Sequence, residues 1–452
     1  MKPFSALCPV GSAVILGLSC VSPSLAQAPP HHEVGSNEAV ITSEWIDRLA
    51  EEARTNNPSL RAAAARVGAA AANVEAVRSW DDPTATLGGS VFSAGGFDPA
   101  QEGNLAYGVE QKLPLWGRPR LSRRVAETGM LARKAEAEYR FRSIRRDIAK
   151  ALLEAALTER VVEIGAQDQA WIELTARAVE SKYRAGAAML ADSLQLENEV
   201  AERGNRLRTD RVNLAHSLFT LNRLLNRNAN TRWPSIRLPA IVPALPYSAK
   251  LVALSLRNEP QLAVMEQEIK QAEAAANLVR RSRLPEVSLG VEARQYSGDG
   301  GFREGDFLLR LSVPWGNAGK YRSDYAREKE RQRSAKEERE DRILAVREEL
   351  HHLVIHMDTA RREAVLYGDE ISVRALQALS SRLADWESGR GMLREVLEAR
   401  RSALDAQLMA VRAVTEQHEL LADLMLLTGL ANFEAVAPLA NEPSILAHEA
   451  HE

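Results

Sequence analysis

The chain is poor in cysteine, in aromatic residues and in long apolar runs. Its two cysteines, Cys8 and Cys20, both lie near the N-terminus, so we expect neither a disulfide framework nor a thiolate metal site further on. Aromatic residues make up 5 % of the chain and charged residues 26 %, a profile typical of long helices packed side by side. No segment after the leader holds 18 uninterrupted apolar residues, which argues against a transmembrane helix.

The formal net charge of −3 gives no basic field, so no nucleic-acid partner is expected. No Ser-His-Asp set or carboxylate pair falls in an aromatic-lined segment of the kind that forms a catalytic cleft. The sequence therefore predicts a protein that is not an enzyme and that has no cofactor and no metal site.

The N-terminus has the features of an export signal. Lys2 precedes an apolar run over residues 10–21, and Ala26-Gln27-Ala28 fits a small-x-small cleavage site. Residues 1–28 are accordingly predicted to be a signal peptide, followed by a flexible segment over 29–42. In a competing interpretation Cys20 carries a lipid, although the residues before it depart from a good lipobox.

One architecture occurs twice, about 200 residues apart. The tract from Tyr183 to Leu194 returns as the tract from Trp386 to Leu397, and Pro83 returns as Pro285. We therefore predict repeat 1 over residues 43–230 and repeat 2 over residues 248–430. A proline-rich linker over 231–247 joins them, and a flexible tail follows over 431–452.

Each repeat contains a hairpin with period-2 alternation, over residues 84–113 and 286–314. In the second, Val287, Leu289 and Val291 alternate with polar or small residues. Strands of about ten residues with one apolar side are the length that crosses a bilayer in a tilted barrel. The alternative is a half-buried sheet on a soluble core, but little else here could form that core.

Long proline-free helices follow each hairpin, over about 121–182 and 321–386. The shorter helices before each hairpin and after each long helix, stacked end to end, match one long helix in length. The predicted fold class is mainly α with a small β part, a duplicated repeat giving a long α-helical barrel and a transmembrane β-barrel. One chain supplies four strands and closure needs about eight or more, so several chains must share the barrel.

Taken together, these features resemble the TolC-type outer-membrane efflux channel family, closest in appearance to heavy-metal efflux channels. The resemblance covers about residues 43–430. The residues that carry it are the strand exits Leu113-Pro114-Leu115-Trp116-Gly117-Arg118 and Val313-Pro314-Trp315-Gly316, the turns Tyr183-x-x-Gly186 and Trp386-x-x-Gly389, and the helix ending Leu427-Thr428-Gly429.

The resemblance implies a homotrimer with a twelve-stranded barrel in the outer-membrane lipid of a Gram-negative cell and a helical tunnel through the periplasm. It also implies a periplasmic adaptor protein and an inner-membrane efflux pump as partners. The helix-turn tips, at Tyr183, Gly186, Trp386 and Gly389, would dock the adaptor. The strand-exit motif is marked by Pro114, Gly117, Pro314 and Gly316.

In this family acidic side chains narrow the periplasmic end of the tunnel. Glu395 and Glu398 match those positions, and Asp192 matches the first of them in repeat 1. Such carboxylates would form rings that favour cations; as the alternative, they are ordinary solvated helix residues. The expected function is a passive efflux conduit, with heavy-metal cations as substrate and drugs, other small molecules or secreted proteins as alternatives. A rival from another class is a periplasmic coiled-coil adaptor or scaffold without a pore.

Overall fold

Long helices form most of the protein. The computed structural model describes residues 38–77, 80–89, 105–295, 301–430, 432, 435 and 438–443, with only the backbone at 303 and 304. The strands are β1 (Glu38–Val40), β2 (Thr84–Gly89), β3 (Leu105–Lys112), β4 (Ser235–Arg237), β5 (Val287–Gln295) and β6 (Phe302–Leu311). The helices are α1 (Ser43–Asn56), α2 (Pro58–Ala76), α3 (Arg118–Arg184), α4 (Leu190–Leu224), α5 (Ala249–Asn258), α6 (Pro260–Ser282), α7 (Ala318–Val365), α8 (Ser372–Glu387) and α9 (Leu393–Thr428).

Pairs of shorter helices pack along each long helix, as the helix lengths predict. Both α2 and α4 contact α3, while both α6 and α9 contact α7. At 1.5 Å per residue, the 67-residue α3 is about 100 Å long. Helices α6 and α9 also contact α3, so the two repeats pack against each other along their length.

Asparagine side chains join the stacked helices where one ends and the next begins. Asn57 Nδ2 donates to the carbonyl of Leu224, which closes α4, at 2.7 Å, while Asn57 Oδ1 caps the start of α2. In repeat 2 two residues share these roles. Asn258 donates to Thr428 O at the end of α9, and Glu259 caps α6. The stacking therefore satisfies helix-terminal groups that would otherwise lack partners.

The four longer strands form one antiparallel sheet in the order β2-β3-β5-β6. The two hairpins meet through β3 and β5, with Val109 opposite Val291. This order leaves one side of β2 and one side of β6 as the edges of the sheet. A separate two-stranded parallel sheet pairs β1 with β4.

The core consists of apolar clusters between helices rather than one centre. In repeat 1, α1 and α4 bury small and branched side chains against α3, among them Ala53, Leu152 and Leu221. In repeat 2, Leu251 of α5 packs with Leu350 of α7 and their neighbours on α9. Among the described helices, none is both long and apolar enough to span a membrane.

The predicted flexible ends are wrong for the residues that the structure describes there. Residues 38–40 form β1, because their backbone pairs with 235–237 of the linker, and Ile41 is buried. In the tail, Leu439 is buried against the repeat 2 core, and Glu442 forms an ion pair with Lys250 at 2.8 Å. Burial of an apolar side chain offsets the entropy lost when such a segment is ordered.

Two of the predicted continuous helices are interrupted. The shorter helix predicted before the first hairpin breaks at Asn57, which is extended with ψ 123° because Pro58 follows it. The second long helix contains a π-helical turn at Leu366–Ile371, where Ser372 Oγ donates to Gly368 O at 2.7 Å. Such a turn absorbs an inserted residue without ending the helix. The predicted signal peptide, Cys20 and residues 90–104 and 296–300 of the hairpins lie outside the described residues.

Candidate functional site: the amphipathic sheet and the helix tips

One face of the four-stranded sheet is apolar and exposed. Leu87 is 74 % exposed and Phe307 is 70 % exposed, which is unusual for large apolar side chains in a protein surrounded by water. The other exposed apolar side chains on this face are Leu105, Tyr107, Val109, Val291, Phe302, Leu309 and Leu311. A contiguous face of this kind is suited to hydrocarbon.

The opposite face of the sheet carries polar and charged side chains. Glu110 accepts hydrogen bonds from Ser288 on one neighbouring strand and from Arg310 two strands away. Arg294 lies 3.5 Å from Glu292 and 3.8 Å from Asp306. These charges balance one another across strands, so this face is suited to water.

The strand-exit motif of repeat 1 fastens the two repeats together. Trp116 Nε1 donates to Pro285 O at 2.7 Å, and Arg118 Nη2 donates to Ser282 O and Leu284 O, each at 2.9 Å. Arg118 also pairs with Glu286. The guanidinium thus satisfies carbonyls at the end of α6, directly before β5.

The geometry of the strand-exit motif differs between the repeats. Pro114 precedes a 3₁₀ turn in which Trp116 has φ 61° and Gly117 has φ 69°. In repeat 2 the corresponding turn begins at the buried Pro314, and Gly316 is not in the left-handed region. Gly316 and Ala318 stand where repeat 1 has Trp116 and Arg118, so repeat 2 cannot form the same clamp.

The helix tips have the same turn in both repeats. Gly186 has φ 74° and Gly389 has φ 77°, the left-handed conformation that favours glycine. In repeat 1, Gly186 N–H donates to Tyr183 O and the next N–H reaches Lys182 O at 2.8 Å; Gly389 and Trp386 repeat the pattern. This is a Schellman ending, which stops each long helix and reverses the chain.

The structure brings the two tips together. Lys182 Nζ lies 3.8 Å from the ring centroid of Trp386. Beneath them, Val179 and Leu393 belong to one buried cluster that joins the repeats. Around the turns, several large apolar side chains are exposed, namely Tyr183, Met189, Leu190, Leu194 and Met392.

The predicted acidic residues lie in the first turns after the tips. Asp192 is in the first turn of α4 and Glu395 in the first turn of α9, where the helix dipole favours a negative charge. Glu395 Oε2 accepts from Arg382 Nη1 at 3.1 Å, and Glu398 is exposed with Arg394 at 3.7 Å. Each carboxylate of repeat 2 therefore has an arginine from its own chain beside it.

A cluster of five charges around two buried carboxylates was not predicted from the sequence. Asp168 on α3 is 4 % exposed, and its two oxygens meet Arg400 Nε at 2.9 Å and Arg203 Nη1 at 3.1 Å. Glu199 on α4 is also buried and pairs with Arg203 and Arg401. The cluster ties α9 of repeat 2 to α3 and α4 of repeat 1. No local motif marks it, since residue 168, residues 199 and 203, and residues 400 and 401 lie on three separate helices.

A buried histidine links α9 to the linker between the repeats. His418 is 1 % exposed, and its Nε2 donates to Ala240 O at 2.9 Å. Burial disfavours the charged imidazolium and lowers the pKa of His418 below its ordinary value of 6.5, although the bond to Ala240 opposes the shift. The ring is therefore neutral in the folded protein near pH 7.

Residues 49–227 and 251–430 match the family model described as outer membrane efflux protein. The two matched segments correspond to the two copies of the duplicated architecture. A comparison with curated proteins found no match.

The chain is similar in fold to several solved outer-membrane proteins and channels. The outer membrane protein VceC from Vibrio cholerae is 19 % identical with a TM-score of 0.72, over 85 % of this chain and 96 % of that one. The CmeC outer membrane channel of Campylobacter jejuni is 14 % identical with a TM-score of 0.74, over 94 % and 99 %. CusC, whose structures concern folding and transmembrane channel formation, is 16 % identical with a TM-score of 0.72, over 85 % of this chain and 92 % of that one.

Proposed function

Because the chain belongs to the outer membrane efflux protein family, we propose that the channel it forms is the exit duct for heavy-metal cations in a tripartite efflux system. The channel lies in the outer membrane of a Gram-negative cell and extends into the periplasm. Channels of this family are passive conduits, and the chain is accordingly not an enzyme. Energy for transport comes from elsewhere, which is the role proposed for an inner-membrane pump.

The exposed apolar face of the sheet is the main observation that supports a membrane channel. Its side chains, such as Leu87 and Phe307, have no covering layer among the described residues. Hydrocarbon can cover this face, but it cannot satisfy the backbone groups at the edges of β2 and β6. A homotrimer would pool three four-stranded sheets into a twelve-stranded barrel without edges.

The helix tips are proposed to dock a periplasmic adaptor. Exposed Met189 and Met392 flank the two turns, and methionine side chains adapt to the shape of a partner. The left-handed Gly186 and Gly389 hold the reversals that present these side chains.

The acidic residues after the tips are proposed to line the periplasmic aperture. In a trimer, Glu395 and Glu398 would each form a ring of three carboxylates, with Asp192 contributed by repeat 1. The Arg382–Glu395 contact of 3.1 Å holds one of these carboxylates in the present conformation. Movement of α8 away from α9 would release that carboxylate toward a passing cation.

Two features support the metal substrate. One is the acidic aperture, and the other is the set of terminal histidines at 31, 32, 448 and 451, which lie outside the described residues. Acidic rings also suit the export of cationic drugs, which is the second candidate. Protein secretion is a third. A non-pore adaptor or scaffold is disfavoured by the amphipathic sheet, which such a protein does not need. Cleavage after residue 28, and the lipid on Cys20 as its alternative, stay predictions.

Two experiments test the proposal in sequence. We expect detergent extraction of outer membranes to yield a trimer that conducts ions in planar bilayers. A water-soluble periplasmic monomer would instead support the scaffold. We then expect deletion of the gene to sensitise cells to divalent metal salts but not to cationic drugs, with plasmid-borne protein restoring growth. Sensitivity to drugs alone would replace the metal substrate with drugs and leave the channel in place.

A further inference from the structure

The two edge strands of the four-stranded sheet limit how one copy of the chain can pair with the next. Strands β2 and β6 each have a neighbour on one side only. Resting on the shared barrel proposed above, we infer that β6 pairs with β2 of a second copy in one defined register. In that register Leu311 lies opposite the partner's Leu87, and Ser312 lies opposite the partner's Thr86.

The register follows from the junction between the two repeats inside the chain. There Leu113 N–H donates to Val287 O at 2.9 Å. Leu113 directly precedes Pro114, as Val313 precedes Pro314, and Val287 stands second after Pro285, as Ala85 does after Pro83. If the junction between copies repeats the internal one, Val313 lies opposite the partner's Ala85. The antiparallel ladder then places Leu311 opposite Leu87.

The hydrogen-bond pattern independently fixes which residues of β6 face the free edge. Along an antiparallel strand, successive residues direct their N–H and C=O groups to alternate neighbours. Ser312 N–H donates to Glu286 O at 2.9 Å, toward β5. Leu311 and Val313 must therefore direct their backbone groups toward the free edge.

The same alternation fixes the free groups of β2. Leu113 bonds toward β5, so the even-numbered residues of β3 bond toward β2, where Glu110 lies opposite Thr84. Thr84 and Thr86 thus use their backbone groups inside the sheet, while Ala85 and Leu87 direct theirs outward. Both free edges present odd-numbered residues, and the inferred register joins odd with odd.

Side-chain direction imposes the same parity. Leu311 and Leu87 both lie on the apolar face of the sheet and are both exposed. A one-residue slip would bring the polar face of one copy beside the apolar face of the next and put charges into lipid. Slips of two residues also keep the faces matched, and the two hairpins differ by such a slip, since Thr84 lies opposite Glu110 but Ser288, and not Glu286, lies opposite Arg310. The junction between the repeats, and not the hairpins, is therefore the reference for the inferred register, and controls two residues to either side distinguish it from the slips.

Cysteine cross-linking in the full-length protein tests the register. The partner's Thr86 and Ser312 form a non-hydrogen-bonded pair, in which Cα atoms are about 4.5 Å apart, within the range of about 4.4–6.8 Å for a disulfide. The chain's own Cys8 and Cys20 both lie in the predicted leader. The test variant is Thr86→Cys with Ser312→Cys. The matched controls pair Ser312→Cys with Thr84→Cys or Gly88→Cys, two residues to either side, and each single cysteine is included.

Under mild oxidation in native outer membranes, we expect the test variant to give covalent trimers in at least tenfold higher yield than either control. Preferential cross-linking through Thr84→Cys or Gly88→Cys would overturn the register but leave the shared barrel standing. Absence of cross-links in all three pairs, with monomers after extraction, would overturn the register and the proposed channel together. Migration as a trimer under reducing conditions verifies that each variant has folded.

Discussion

Loss of the Asp168 charge should loosen the contact between α9 and the first repeat. The perturbation is Asp168→Asn, which keeps the size of the side chain and removes the charge. In the folded protein Asp168 accepts from Arg400 at 2.9 Å and from Arg203 at 3.1 Å. After the change Arg203 keeps its contact with the carboxylate of Glu199, whereas Arg400 loses the charge of the carboxylate it pairs with.

The magnitude follows from burial. Removing one partner of a buried ion pair costs about 3–5 kcal/mol, because the other charge stays desolvated. The arginines are partly accessible, with Arg400 15 % and Arg203 20 % exposed, so water can hydrate them in part. Arg400 also keeps the ring of Trp171, whose centroid is 5.0 Å away. We therefore expect the lower end, about 3 kcal/mol in local opening free energy.

Amide hydrogen exchange on the intact trimer measures this free energy directly. A loss of about 3 kcal/mol corresponds to exchange on the order of 100-fold faster in the first turns of α9 and in the α3 segment around Asp168. The matched control is Glu180→Gln, which removes the exposed i,i+4 pair with Arg184. It should change exchange by less than about fivefold, since exposed pairs contribute about 0–1 kcal/mol.

A double-mutant cycle with Arg400→Gln separates the pair from its surroundings. If Asp168→Asn accelerates exchange no more than Glu180→Gln, the charge cluster does not hold α9 in place and the argument from burial is refuted. A large effect without coupling between Asp168 and Arg400 would show that the desolvated arginines matter and the specific contact does not.

Two further perturbations test other parts of the structure. Glu395→Gln combined with Glu398→Gln should lower the cation preference of single channels and weaken block by divalent ions. If cation preference and divalent block are both unchanged, the acidic aperture is refuted. Acidification should destabilise the helical region through His418: its folded pKa lies below 6.5, so stability is full above pH 6.5 and falls with decreasing pH, by at most about 1.4 kcal/mol per unit, until the folded pKa is reached. His418→Gln can still donate to Ala240 O and should reduce the change in Tm between pH 7 and pH 5. An unaltered dependence of Tm on pH would assign the acid sensitivity to other groups.

Periodicity predicted the elements well where one face is uniformly apolar. The alternation through Val287, Leu289 and Val291 located β5, and the repeated glycines at 186 and 389 located both helix tips. These signals are local, because strand period and left-handed turns are decided by neighbouring residues.

Long-range contacts were beyond such local signals. The cluster around Asp168 joins α3 and α4 of repeat 1 to α9 of repeat 2, and each of its charges alone resembles a solvated helix residue. The strand at residues 38–40 forms only because 235–237 offers its backbone. The candidate aperture residues Glu395 and Glu398 were found by resemblance, and their arginine neighbours only by structure.

The clamp made by Trp116 and Arg118 has a mechanical consequence for a ring built from several copies. It braces the joint between the two hairpins of each chain, while Gly316 and Ala318 leave the joint to the next chain without that brace. Stiff and compliant joints then alternate around the rim beneath the membrane. A force applied at the helical end would deform the joints between chains first. Each chain would then tilt as a rigid body, and the deformation of the rim would follow the symmetry of the assembly.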